Sequence, residues 1–73
     1  MNYRDEKFLK AFGKHLAHFR KAKGLTQEQL ATDCDISLSQ IARIETGAIN
    51  PTLCTLKVIS NTLGINLSEL VEF

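Results

Sequence analysis

Four side chains near the middle of the chain could contact the edges of nucleic-acid bases, namely Ser37, Leu38, Ser39 and Arg43. A guanidinium such as that of Arg43 can donate two hydrogen bonds to guanine in the major groove, whereas a leucine can contact a thymine methyl group. The serine hydroxyls can bond to a base or to a nearby phosphate. Arg43 could instead hold a phosphate or remain in solvent, so three interpretations of this residue stay open.

The phase of a predicted helix determines where these side chains point. If the helix starts at Ser37, Ile41 and Ile44 are three residues apart and must face the core. The leucine, the second serine and the arginine then lie on the outward side. We therefore predict one exposed face that carries all the candidate base-reading side chains.

A second candidate contact is Gln27, in the first turn of another predicted helix. The first turn of a helix leaves backbone N–H groups without partners and carries the positive end of the helix dipole. A side-chain amide placed there can help to bind a phosphate oxygen. The alternative is an ordinary surface glutamine.

Metal and catalytic chemistry find little support in the sequence. His15 and His18 are three residues apart, but no further ligands are placed to complete a metal site, so we expect surface or phosphate-proximal histidines. Cys34 and Cys54 lack the spacing of a zinc site or a disulfide framework. No nucleophile-base pair, glycine-rich phosphate loop or paired acids can be identified, so we predict no enzyme and no cofactor.

Charge is distributed unevenly along the chain. The net charge is only +1, but residues 1–24 carry seven Lys and Arg against two Asp and Glu, a local +5. Residues 25–73 carry two against six, a local −4. One side of such a molecule can face phosphates while the other faces solvent or a protein partner. A merely solvated basic helix would show the same pattern.

Helix starts are marked by repeated capping signals. A capping residue followed three positions later by Gln or Glu satisfies free backbone donors of a first turn. Three such boxes are present, at Thr26 and Gln29, at Ser37 and Gln40, and at Asn66 and Glu69. A fourth start lies near Pro51, which suits a first helical position, with Asn50 or Thr52 as the cap.

These signals and the apolar periodicity predict an all-α domain of five helices over residues 1–73. The expected helices lie near 5–23, 27–34, 38–46, 52–63 and 67–72. The second and third are short and close together, so the third can project into a groove about 12 Å wide. No secretory leader or apolar run of roughly 18 residues is present, so we expect a cytoplasmic protein without a membrane segment.

The motifs in this order resemble the lambda-repressor and Cro superfamily of helix-turn-helix domains, the Xre family. The matching segments are LTQEQLA at 25–31, ISLSQI at 36–41, IETG at 44–47, PTL at 51–53 and LGI at 63–65. The resemblance implies a compact five-helix fold with the helix-turn-helix at about 26–46. It also implies that the third helix reads bases and that the protein acts as a homodimer on a symmetric operator.

The resemblance assigns roles to particular residues of this chain. Ser37, Leu38, Ser39 and Arg43 correspond to base-facing positions, and Gln27 to a phosphate-binding residue. Arg20 and Glu45 correspond to a structural ion pair. Cys34 and Cys54 stand where small apolar core residues are expected. The expected phosphate contacts, besides Gln27, are Gln40, Thr46 and Asn50.

Two positions depart from the family pattern. Asp35 stands where the family often has Gly in a left-handed turn, a conformation that Asp tolerates at some strain. Leu38 replaces the common polar base reader, which favours an apolar contact there. The operator therefore cannot be transferred from a relative.

The sequence thus predicts a sequence-specific regulator of transcription, in the first place a repressor, bound to a double-stranded operator. The apolar carboxyl end, Leu67, Leu70, Val71 and Phe73, suggests a homodimer. The alternative is an antitoxin or another protein-interaction module, whose acidic carboxyl half binds a protein partner while DNA binding is auxiliary.

Overall fold

The computed structural model describes residues 4–73, and within them five helices and no strand. The helices are α1 (Glu6–Ala22), α2 (Gln27–Cys34), α3 (Leu38–Glu45), α4 (Leu53–Leu63) and α5 (Leu67–Val71). The predicted all-α class and the order of the helices are confirmed. Along the described residues, no helix combines the length and the apolar character that crossing a membrane requires.

The capping residues start the helices largely where the sequence predicts. Thr26 Oγ1 accepts the N–H of Gln29 at 3.1 Å, and Gln29 Oε1 accepts the N–H of Thr26 at 2.8 Å. Both halves of this box are formed. At the start of α5, the carboxylate of Glu69 accepts the N–H of Asn66 at 3.1 Å. These bonds satisfy backbone donors that a helix leaves open.

Two helix starts differ in detail from the prediction. Ser37 Oγ accepts the N–H of Gln40 at 3.0 Å, and only this half of the box is formed among the described residues. At α4, Thr52 is the cap and accepts the N–H of Thr55 at 3.1 Å. Pro51 therefore precedes the cap instead of occupying the first helical position. Its ring favours an extended conformation for the residue before it, in the loop that leads from α3 to α4.

The turn between α2 and α3 is left-handed at Asp35, as predicted. Asp35 has φ 57° and ψ 42° and is the non-glycine residue with positive φ in the described part of the chain. Its N–H bonds to the carbonyl oxygen of Thr32 at 3.1 Å. The short turn is thus retained without glycine, and α3 leaves α2 at a fixed angle.

The core lies where the five helices meet. Ile41 and Ile44 are 0% and 1% exposed, so α3 buries the side that the helical phase predicts. The other fully buried apolar side chains belong to α1, α2, α4 and α5 and are Leu16, Leu30, Ile59, Leu63 and Leu70.

The prediction of two core cysteines is wrong for one of them. Cys34 is buried, and burial raises the pKa of its thiol. Cys54 is exposed. The buried stripe of α4 runs through Ile59 and Leu63. Cys54 lies five residues before Ile59, about 140° away around the helix, and so faces solvent.

Candidate nucleic-acid interface

The outward face of α3 carries the predicted base-reading residues together. Ser37, Leu38, Ser39 and Arg43 are all exposed, and the leucine shows 47% of its surface to solvent. Burying an exposed leucine side chain against an apolar group is favourable, because it removes apolar surface from water. The structure therefore presents a row of two hydroxyls, one apolar side chain and one guanidinium along α3 and its capping residue.

Ser37 also has a structural task, because it caps α3. Its oxygen accepts a backbone N–H, and a hydroxyl has one hydrogen left to donate. Toward DNA it can therefore act as a donor to an acceptor on a base or a phosphate.

A buried ion pair braces the end of α3 against α1. Arg20 Nε lies 2.7 Å from Glu45 Oε2, and Arg20 NH2 donates to Glu45 Oε1 at 3.0 Å. The side chains are 10% and 6% exposed. The hydrogen bond to Glu45 raises the pKa of Arg20 further above its usual value, so the guanidinium stays charged.

The same guanidinium reaches the start of α2. Arg20 NH1 donates to the carbonyl oxygen of Leu25 at 2.8 Å, one residue before the cap of α2. Arg20 thereby joins the end of α1, the start of α2 and the end of α3. These bonds add to the core packing of Ile41 and Ile44 in holding α3 on the rest of the domain.

Gln27 is attached to the same ion pair, which the sequence does not predict. Its Nε2 donates to Glu45 Oε1 at 3.0 Å, and the side chain is half-buried. The predicted contact of Gln27 with phosphate remains a prediction. Eighteen residues separate the two partners, and no local signal links residues so far apart.

The remaining predicted phosphate contacts lie at both ends of α3. Gln40 is half-buried in its first turn. Thr46 caps the other end, is exposed, and donates its hydroxyl to the carbonyl oxygen of Arg43 at 3.2 Å. Asn50 is exposed in the loop that follows. All three roles stay predictions.

Arg4 supports this loop in a way that sequence reasoning misses. Its NH2 group donates to the carbonyl oxygens of Ala48 at 2.6 Å and Gly47 at 3.3 Å. Its Nε pairs with Glu6 at 2.6 Å. A cation at the carbonyl end of a helix is favourable, so Arg4 holds the segment before α1 on the turn after α3.

His15 is half-buried between α1 and α5, where the sequence predicts a surface or phosphate-proximal residue. Its Nε2 lies 2.8 Å from the carbonyl oxygen of Glu69, and its ring lies 4.7 Å from that of Phe19. His18 is exposed. Residues 4–73 contain no group of three or more His, Cys, Asp or Glu able to hold a metal ion.

Comparison with known proteins finds similarity to helix-turn-helix proteins. The helix-turn-helix family model HTH_3 matches residues 16–70. The chain is 41% identical over 59 residues to the immunity repressor protein of Bacillus phage phi105, covering 81% of this chain and 41% of the repressor. It is 35% identical over 63 residues to the control protein C.BamHI of Bacillus amyloliquefaciens, covering 85% of this chain and 78% of that protein.

A solved structure has a closely similar fold. The restriction-modification controller protein C.AhdI from Aeromonas hydrophila superimposes with a TM-score of 0.87 at 34% identity, covering 89% of this chain and 94% of the controller. The HTH_3 match at residues 16–70 includes all of α2 and α3, which carry most of the candidate contacts, and all of α4.

Proposed function

Since the chain belongs to the HTH_3 helix-turn-helix family, we propose that it is a sequence-specific regulator of transcription that lays α3 in the major groove of duplex DNA. The observation that carries this proposal is the exposed row on α3, Ser37, Leu38, Ser39 and Arg43, on a helix whose opposite side is fully buried. A helix fits the major groove, where each base pair presents a distinct set of donors and acceptors.

Each contact has its own role. Arg43 donates two hydrogen bonds to a guanine, Leu38 covers a thymine methyl group, and Ser39 bonds to a base or a phosphate. Gln27 at the start of α2 and Thr46 and Asn50 after α3 bind the DNA backbone. The backbone contacts set the register, and the α3 row supplies the sequence preference.

We propose repression as the mode of regulation and the cytoplasm as the location. A phage immunity repressor among the relatives favours repression. A protein bound across a promoter blocks the polymerase without needing a further domain. We also propose that residues 1–73 form one DNA-binding domain with its helix-turn-helix at about 26–46.

The base-reading role of Arg43 is tested by Arg43→Ala. We expect the variant to lose about 2 kcal/mol of binding free energy per half-site and to relax preference at one base pair. The operator is first selected from a random pool of duplexes. Competition binding at fixed salt on single-base operator variants then measures preference apart from electrostatic attraction.

The matched control is Lys57→Ala, which removes one exposed positive charge from α4. It should leave the base preference unchanged. If Arg43→Ala weakens binding to every operator variant by the same factor, Arg43 holds a phosphate and its assignment as a base reader is wrong.

The proposed assembly is a two-fold homodimer that uses an apolar end patch, defined as Phe8, Val71 and Phe73. These side chains are 48%, 42% and 53% exposed. Phe8 and Phe73 lie with their ring centroids 5.2 Å apart, so α1 and the carboxyl end form one surface. Two copies double the base contacts at half-sites about one helical turn apart.

Sedimentation measures this association. We expect the wild-type chain to be dimeric at high micromolar concentration and Phe73→Asp to be monomeric, because the variant would bury a charge in the interface. Leu53→Asp, at an exposed apolar residue on α4, is the control and should remain dimeric. A wild-type monomer both free and on DNA rules out the homodimer.

A further inference from the structure

The carboxylate of Glu45 accepts hydrogen bonds from two different helices. Arg20 on α1 binds both of its oxygens, and Gln27 on α2 binds Oε1. Ionised carboxylates only accept hydrogen bonds. The amide nitrogen of Gln27 must therefore face Glu45, and its carbonyl oxygen must point elsewhere.

This bond fixes a side chain that would otherwise be free to rotate. A glutamine side chain has many rotamers, and selecting one of them on binding costs conformational entropy. Gln27 has already made this selection in the unbound protein. Its second Nε2–H remains as a donor in a defined direction at the start of α2.

We propose that Glu45 is a positioning residue for DNA binding, which acts through Gln27 by holding its amide ready for a DNA phosphate. This inference rests on the proposed function, specifically on the assignment of Gln27 to the DNA backbone. The ion pair that joins the end of α3 to α1 thus also prepares a contact on α2.

Arg20 is also needed for this role of Glu45, because it balances the negative charge of the carboxylate. A bare carboxylate one hydrogen bond away from a phosphate-binding amide would repel the phosphate. Arg20 pairs with both carboxylate oxygens and balances this charge. Gln27 can then be oriented by Glu45 without the DNA meeting a net negative group.

A double-mutant cycle on DNA affinity tests the coupling, with Gln27→Met and Glu45→Gln as the two changes. Both substitutions keep the length of the side chain. We expect Gln27→Met to weaken operator binding about tenfold in the wild-type background, but only about threefold with Glu45→Gln. The two chains compared within each background carry the same residue at position 45, so the direct effect of its charge on DNA affinity cancels.

The matched control cycle pairs Glu45→Gln with Ser39→Ala. Ser39 lies on the same helix as Glu45 and is exposed. Ser39→Ala should weaken operator binding by the same factor in the wild-type and Glu45→Gln backgrounds. Coupling at Gln27 together with additivity at Ser39 supports the inference, because a general distortion of α3 would couple both pairs.

The alternative results separate the inference from the proposed function. If Gln27→Met weakens binding by the same factor in both backgrounds, Gln27 contacts DNA without help from Glu45, and the inference alone is overturned. If Gln27→Met has no effect, the assignment of Gln27 to phosphate is wrong and the inference falls with it. If the wild-type chain selects no duplex, the proposed function itself fails.

A measurement on the wild-type chain covers the case in which Glu45→Gln does not fold. NMR of the side-chain amides should show slower hydrogen exchange for Gln27 than for Asn61, which is exposed on α4. The protection should persist when operator DNA is bound. Exchange of Gln27 as fast as that of Asn61 overturns the inference.

Discussion

Replacing Arg20 with alanine is expected to lower the free energy of unfolding by about 3 kcal/mol, because it leaves a buried carboxylate without its cation. Glu45 is only 6% exposed and would keep a single side-chain bond, to Gln27. The carbonyl oxygen of Leu25 would also lose its side-chain donor. An exposed ion pair at this position would contribute less than about 1 kcal/mol.

Chemical denaturation of the wild-type chain and the variant measures this loss. Lys21→Ala, one residue further along α1 at an exposed position, is the control and should change stability by less than about 0.5 kcal/mol. Removing both partners, as in Arg20→Met with Glu45→Leu, should cost less than Arg20→Ala alone, because no unpaired charge is then buried.

Sequence preference provides the second readout for Arg20→Ala. Arg20 lies in the core behind α3, so the ranking of single-base operator variants should not change. Unchanged melting combined with an altered ranking would reverse the assignment and make Arg20 a base reader.

The parts of the fold that sequence reasoning predicts are those set by neighbours in the chain. The box at Thr26 and Gln29 and the cap at Ser37 act over three residues, so their signals are visible in the sequence. The inward side of α3 follows from the spacing of Ile41 and Ile44. The exposed row on α3 is the other side of the same pattern.

The features that sequence reasoning misses depend on contacts between distant residues. The bond from Gln27 to Glu45 exists because α2 and α3 meet at a particular angle, and nothing near either residue indicates it. In the sequence, Arg4 is only one of several basic residues near the start of the chain. Its bond to the carbonyl oxygen of Ala48 depends on how the fold brings the turn after α3 next to it. Cys54 is misassigned because the resemblance implies a small apolar core residue there, whereas in this chain the buried side of α4 runs through Ile59 and Leu63 and Cys54 faces solvent.

Gly13 is a further feature of this kind. It lies in the middle of α1, where glycine is a poor helix former, and no neighbour in the sequence explains its presence. A Cβ atom placed on Gly13 would lie 2.6 Å from the carbonyl oxygen of Ile44 and would overlap the backbone of Glu45. Real Cβ atoms essentially never come that close to another atom. The backbone of α1 therefore packs directly on the end of α3, and only glycine fits.

Gly13→Ala is accordingly expected to destabilise the protein by about 3 kcal/mol, even though alanine is the better helix former. Overpacking a core usually costs about 1 to 3 kcal/mol, and a collision with backbone lies above this range because no side chain can rotate away. Helix propensity returns about 1 kcal/mol, which is too little to offset the collision. Thermal and chemical unfolding measure the difference.

Two controls identify the cause of that loss. Lys14→Ala, at an exposed position next to Gly13, should change stability by less than about 0.5 kcal/mol. Gly13→Ala should also weaken operator binding in whatever fraction stays folded, because the displaced backbone carries Glu45 and hence Gln27. If Gly13→Ala raises the melting temperature, helix propensity outweighs packing here, and α1 does not hold the end of α3 at this distance.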